Sequence, residues 1–137
     1  MIYAEEVNYW KTSNVSPDTW IDKAKAEIMA SDGTIDGDAF GSYDGRAAYR
    51  LDFSFGADRF CAIWPVLPFR KAADVRAARI QAATMLYHDV KAKCISAKVH
   101  GARAAFFQYA VLPDGRTAAQ VADPELTQLY PKMLTGA

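Results

Sequence analysis

Residues 46–69 read RAAYRLDFSFGADRFCAIWPVLPF, and the alternation in this stretch decides the fold class. Tyr49, Leu51, Phe53 and Phe55 alternate with Arg50, Asp52 and Ser54, the period of two that gives a strand one apolar and one polar face. After the turn residues Gly56-Ala57-Asp58, Phe60, Ala62, Trp64 and Val66 again share one side, and Pro65 and Pro68 end that strand or mark it as a sheet edge. Asp44-Gly45 supplies a second turn upstream. The segment from Ala39 to Leu67 therefore predicts three antiparallel strands joined by tight hairpins.

Helical signals lie on both sides of this segment. Ser16 can cap a helix, Pro17 suits its first position and Asp18 complements the positive end of its dipole. Trp20, Ala24 and Ile28 then repeat at helical spacing until Ser31-Asp32-Gly33, which predicts a helix over residues 17–30. Residues 71–99 hold no Gly or Pro and are rich in Ala, Lys, Arg, Leu and Met, which predicts a long helix stopped by Gly101. Its wheel puts Val75, Ala83, Leu86, Val90, Cys94 and Ala97 on one side, and Ala78, Met85, Ala92, Ile95 and Val99 on the other. A helix apolar on both sides is sandwiched, so one side packs on the sheet and the other needs further helices or a partner subunit. Between Ala102 and Val111 the pattern fits strand and helix alike. Pro113-Asp114-Gly115 is a tight turn, and Asp123-Pro124-Glu125 caps a short final helix to about Tyr130.

The resulting expectation is α+β: an amino-terminal helix, a three-stranded antiparallel meander, a long helix across it and short carboxy-terminal helices. At 137 residues, 51% apolar and 23% charged, the chain fits one ordinary globular domain, 1–137, with residues 1–15 as an extended or flexible arm. Sixteen basic residues balance sixteen acidic ones, which removes the simplest argument for a polyanionic partner, a large positive net charge. Cys61 and Cys94 sit among apolar neighbours far apart in sequence, and read as small core residues in a reducing compartment. No basic region followed by an apolar run opens the chain and no stretch of 18 apolar residues occurs, so the expected location is cytoplasmic, with no membrane partner.

RAAYRLDF, FCAIWPVLPF, a long helix containing VKAK, Gly101 and then AFFQYAVLPDGRT form an order that resembles an uncharacterised family of small proteins from phages, prophages and other mobile elements. The resemblance spans roughly residues 17–133 and is most specific at Val111 to Thr117 and at Lys91-Ala92-Lys93. It implies a fold and a genomic setting, with the host cytoplasm as compartment, and no reaction. In that family the segment before VLPDGRT is often acidic and helix-capped, which favours helix over Ala102 to Ala110, although Arg103 and several alanines replace the acidic residues here.

Catalytic and metal signatures are weak. Asp32 to Asp38 looks like the start of a calcium loop, but position 12, where a bidentate Glu is required, is Tyr43. His88 and His100 lack any nucleophile or ligand spacing, and no nucleophile elbow or phosphate-cradling glycine loop occurs. No catalytic residue, metal or cofactor is expected.

The basic segment is more informative. From Arg70 to Arg103 eight basic residues face two acidic ones, a net charge of +6 that the rest of the chain cancels, and such segregation can focus a positive potential. Tyr49, Phe53, Phe55, Phe60, Trp64, Phe69, Phe106, Phe107 and Tyr109 lie nearby in sequence. Exposed aromatics beside cations hold single-stranded nucleic acid by stacking and phosphate contacts, while buried ones simply build a core, the expected fate of most of them. The leading expectation is a non-enzymatic phage or mobile-element accessory protein that binds single-stranded nucleic acid through Arg76, Arg79, Lys91, Lys93, Lys98, Arg103 and Arg116. The alternative is a protein-interaction factor, a host-directed inhibitor or assembly component, acting through the second apolar side of the long helix. A homodimer burying Met85, Ala92, Ile95 and Val99 is expected in either case.

Overall fold

The computed structural model describes residues 1–124. Helix α1, Pro17–Ala30, starts as its sequence dictates: the Ser16 side chain accepts the Thr19 N–H at 3.4 Å, and Pro17 occupies the first turn, where no N–H is needed. Ile21, Ala24 and Ile28 are buried, and Trp20 packs at the seam against Tyr87, ring centroids 5.4 Å apart. Asp32 turns left-handed (φ +68°), and the Gly33 N–H closes the helix on the Ile28 carbonyl at 2.9 Å.

The sheet is the expected meander, β1 (Thr34–Tyr43), β2 (Arg46–Phe55) and β3 (Asp58–Pro65), all antiparallel in that order. Asp44 (φ +52°) and Gly45 (φ +75°) make the first hairpin with both central residues left-handed, the turn whose twist matches that of the strands. β1 begins at Thr34 rather than Ala39. The reason is a bulge between Ile35 and Gly37, which resets the faces: Ile35 opposes Phe53, while beyond the bulge Asp38 opposes Leu51 and Phe40 opposes Tyr49. Asp38 thus lies on the helix side of the sheet, where Lys25 of α1 meets it at 2.5 Å. The segment resembling a calcium loop is largely this strand.

Tyr49, Leu51 and Phe53 of β2 and Phe60 and Ala62 of β3 form the core face, closed by Ala82, Ala83, Leu86 and Val90 and by Phe106. The rings of Phe53, Phe60 and Phe106 lie within 5.7 Å of one another.

Helix α2, Val75–His100, starts four residues later than the composition predicts, after a 3₁₀ turn at Ala72–Asp74. Asp74 does not cap it with its side chain but pairs with Lys11 at 3.0 Å. α1 runs alongside in the same direction, as the sequence of contacts shows: Asn14 with Arg76, then Trp20 with Tyr87. The second side of α2 is covered within the same chain. Ala4 is fully buried there, Gln81 Nε2 donates to the carbonyls of Ala4, Val7 and Asn8 (2.8–3.2 Å), and Tyr9 stacks on His88 at 4.8 Å. Residues 1–9 thereby supply the layer that the sequence assigns to other helices or a partner. Their cover ends midway: Met85 is half-buried, while Ala92, Ile95 and Val99 are exposed, and Val75 on the opposite side is 40% exposed.

Ala102 to Val111 is neither one helix nor a strand. α3 (Ala102–Ala105) is followed by a 3₁₀ turn at Phe107–Tyr109, and Ala110 then bridges to Phe60. Residues 118–124 are helical, begun by a reciprocal cap in which Gln120 Oε1 accepts the Thr117 N–H at 2.8 Å and Thr117 Oγ1 accepts the Gln120 N–H at 3.3 Å. Asp123 is therefore inside that helix and not its cap, and the part expected from Glu125 to Tyr130 lies outside the described residues.

Candidate nucleic-acid interface

The seven basic residues predicted to form an interface differ in the partners that folding gives them. Three are bound to carboxylates. Arg103 forks onto Asp58 with two bonds of 3.1 Å, Lys93 pairs with Asp89 at 2.8 Å, and Arg116 folds back on its own turn, with Nη2 at 2.7 Å from Asp114. The Lys93 ammonium is further engaged: it lies 5.3 Å from the Tyr109 ring, whose hydroxyl bonds to the same Asp89. Burial and this carboxylate push the Tyr109 phenol well above its usual range. The group staples the Phe107–Tyr109 turn to α2.

The remaining four, Arg76, Arg79, Lys91 and Lys98, have no carboxylate partner among the described residues. They divide into two pairs, because Lys91 follows Arg79 by twelve residues, ~18 Å along the helix axis. The aromatic set divides too. Tyr49, Phe53, Phe60, Phe106 and Tyr109 are buried, Phe55, Trp64 and Phe69 are half-buried, and Phe107 is exposed beside the already paired Arg103.

Single lysines lie over half-buried rings, Lys91 over Tyr87 at 5.9 Å and Lys23 over Trp20 at 4.5 Å, and two arginines meet the exposed ring of Phe40. At the amino-terminal ends of α1 and α2, a notch of about 480 Å³ is lined by Asp18, Phe40, Tyr49, Val75, Arg76 and Arg79. β1 and β2 position the rings: Phe40 and Tyr49 are cross-strand partners with centroids 4.7 Å apart. The Arg79 guanidinium lies over Phe40 at 4.6 Å, and Arg76 reaches the Asn14 carbonyl at 3.5 Å. Burial pushes the Tyr49 phenol up, with Arg79 opposing and Asp18 adding to that shift, so both charges act on its hydroxyl. Phe40 and Asp18 were missed from the sequence because only the register of β1 on β2 and the packing of α2 bring Phe40 to Tyr49 and Arg79, and Asp18 reads as an ordinary first-turn acid.

The other reactive groups are structural. His88 is enclosed by Tyr9, Trp20 and Tyr87. Burial pushes the Cys61 thiol up to about 11 and raises that of Cys94, which removes thiolate character at neutral pH. Among the described residues no cluster of His, Cys, Asp or Glu is placed to hold a metal, and no helix is long and apolar enough to cross a membrane. Comparisons with known protein families, curated proteins and solved structures find no match to this chain.

Proposed function

We propose that this protein binds single-stranded nucleic acid without enzymatic activity, at the notch between the amino-terminal ends of α1 and α2. The observation that carries this reading is the placement of two guanidiniums that have no ion-pair partner among the described residues, Arg76 and Arg79, with the accessible ring of Phe40. A guanidinium lying on an aromatic ring keeps one planar face open for a base, and a fork of N–H donors suits a phosphate. Lys91 and Lys98 extend the positive charge along α2 for neighbouring phosphates. The setting, an accessory protein of a phage or mobile element acting in the host cytoplasm, rests on the sequence resemblance alone.

The test is fluorescence anisotropy with a labelled oligonucleotide across a salt series. Each phosphate neutralised contributes about 0.7 to the logarithmic salt slope for a single strand, so replacing Arg76 and Arg79 together by Ala is expected to weaken binding and lower the slope by about 1–2. Lys93→Ala, which removes a cation already bound to Asp89, is expected to leave it unchanged. An affinity weaker than roughly millimolar at low salt overturns the proposal.

A second reading, a protein-interaction factor, is supported by exposed apolar residues in the carboxy-terminal half of α2, Ile95 at 57% and Val99 at 76%. Pairing of two copies through Ala92, Ile95 and Val99 belongs with it. Light scattering at tens of micromolar separates dimer from monomer, and Ile95→Glu is expected to abolish a dimer while leaving oligonucleotide binding intact.

A further inference from the structure

We infer that the notch selects guanine, with Asp18 and Tyr49 reading the Watson–Crick edge of an unpaired base. This rests on the single-strand reading above and names its ligand. A carboxylate in a phosphate site is unfavourable unless it accepts hydrogen bonds from something else, and the donors that a nucleic acid offers are base N–H groups, joined in RNA by the 2′-hydroxyl. Asp18 lines the notch with Arg76 and Arg79 yet pairs with neither among the described residues.

Base chemistry then discriminates. Guanine places N1–H and the N2 amino group side by side, two parallel donors that match the two oxygens of a carboxylate, with the O6 acceptor beside them. Cytosine and adenine offer one amino donor next to a ring-nitrogen acceptor, which would face the second carboxylate oxygen. Thymine and uracil offer one N–H between two carbonyls. Tyr49 completes the pattern: the residue lines the same notch, and its hydroxyl, which has no hydrogen-bond partner among the described residues, can donate to O6. A phenol is protonated throughout the neutral range and is therefore a donor there. The edge being read is covered in a duplex, so the same contacts favour single strands.

Asp18 also lies in the first turn of α1, where a negative charge favours the helix dipole. A purely structural role would change stability and leave base preference untouched. The experiment is anisotropy with oligothymidylates of about ten residues, a length within the usual single-strand site range, carrying one central G, C, A or T. The G-containing strand is expected to bind about 10-fold tighter than all-T, within the range of one bidentate base contact. Asp18→Asn, which presents one acceptor and one donor, is expected to bring the ratio of G-containing to all-T affinity down to about one, and Tyr49→Phe to reduce that ratio several-fold while keeping the ring in the core. Equal affinity for all four strands, with binding itself intact and lost in the Arg76/Arg79 double variant, overturns guanine selection and leaves the single-strand reading standing. Absence of binding to every strand overturns both.

Discussion

Gly33 shows how a single missing side chain lets two elements meet. A Cβ there would lie 2.5 Å from Cγ2 of Ile28 and 2.9 Å from the Phe55 ring, so α1 can turn into β1 only with glycine at this position. Gly33→Ala is expected to destabilise the fold by about 1–3 kcal/mol, the usual cost of overpacking, measured by denaturant unfolding. Gly45 has open space around it but a φ of +75°. Gly45→Val should cost on the order of 1–2 kcal/mol through backbone conformation alone, read as a lowered Tm. Cys61 makes a prediction about pH. Its folded-state pKa, about 11, lies above the ordinary 9.0, so in alkali the unfolded chain loses this proton before the folded one does. Stability from this group is complete below pH 9 and is lost as the pH rises from 9 to 11, by an amount on the order of 1–3 kcal/mol. Cys61→Ala is expected to flatten that part of the pH–stability curve, and native-state thiol labelling at pH 8 should be slow until the protein unfolds.

At the scale of elements, Gln81 links the amino-terminal segment to α2. Its residue is fully buried and one amide nitrogen serves three carbonyls of residues 4–8, while its oxygen has no hydrogen-bond partner among the described residues. Gln81→Leu removes this shared donor, leaving the Ala4 carbonyl with only the Val7 N–H at 3.1 Å, and is expected to cost about 1–3 kcal/mol. Hydrogen exchange should rise selectively in residues 3–9 if the link is local, and throughout the chain if the segment is integral to the core. The elements legible in the sequence are those whose own residues carry the signal: the cap and apolar repeat of α1, the alternation of β2 and β3, and the unbroken composition of α2. The start of β1 was hidden because a bulge shifts the apolar phase at Asp36. The helix at 118–124 was hidden because Thr117, its cap, also closes the Asp114-Gly115-Arg116 turn, and the turn dominates a local reading.

At the scale of the whole molecule, folding neutralises part of the charge segregation seen along the chain. Arg70 bonds to Glu5 and Glu6, and Arg103 to Asp58, across 45 or more positions in sequence. These exposed pairs contribute little stability each, about 0–1 kcal/mol, but they remove cations from the surface available to a polyanion. What remains is local, so the salt dependence of binding should reflect a few phosphates and not the +6 of the segment.

Local sequence determined that this chain is α+β, where its sheet and two main helices run, and which face of each is apolar, because helix and strand periodicities depend only on neighbours within a few positions. It could not determine which cations stay free or which rings stay exposed. Those depend on partners brought from elsewhere: Glu5 to Arg70, Asp58 to Arg103, residues 1–9 over α2. The notch itself joins residues 18, 40, 49, 76 and 79 from four elements. Its composition follows from the strand register past the bulge and the parallel placement of α1 beside α2, which only the packing of the core decides.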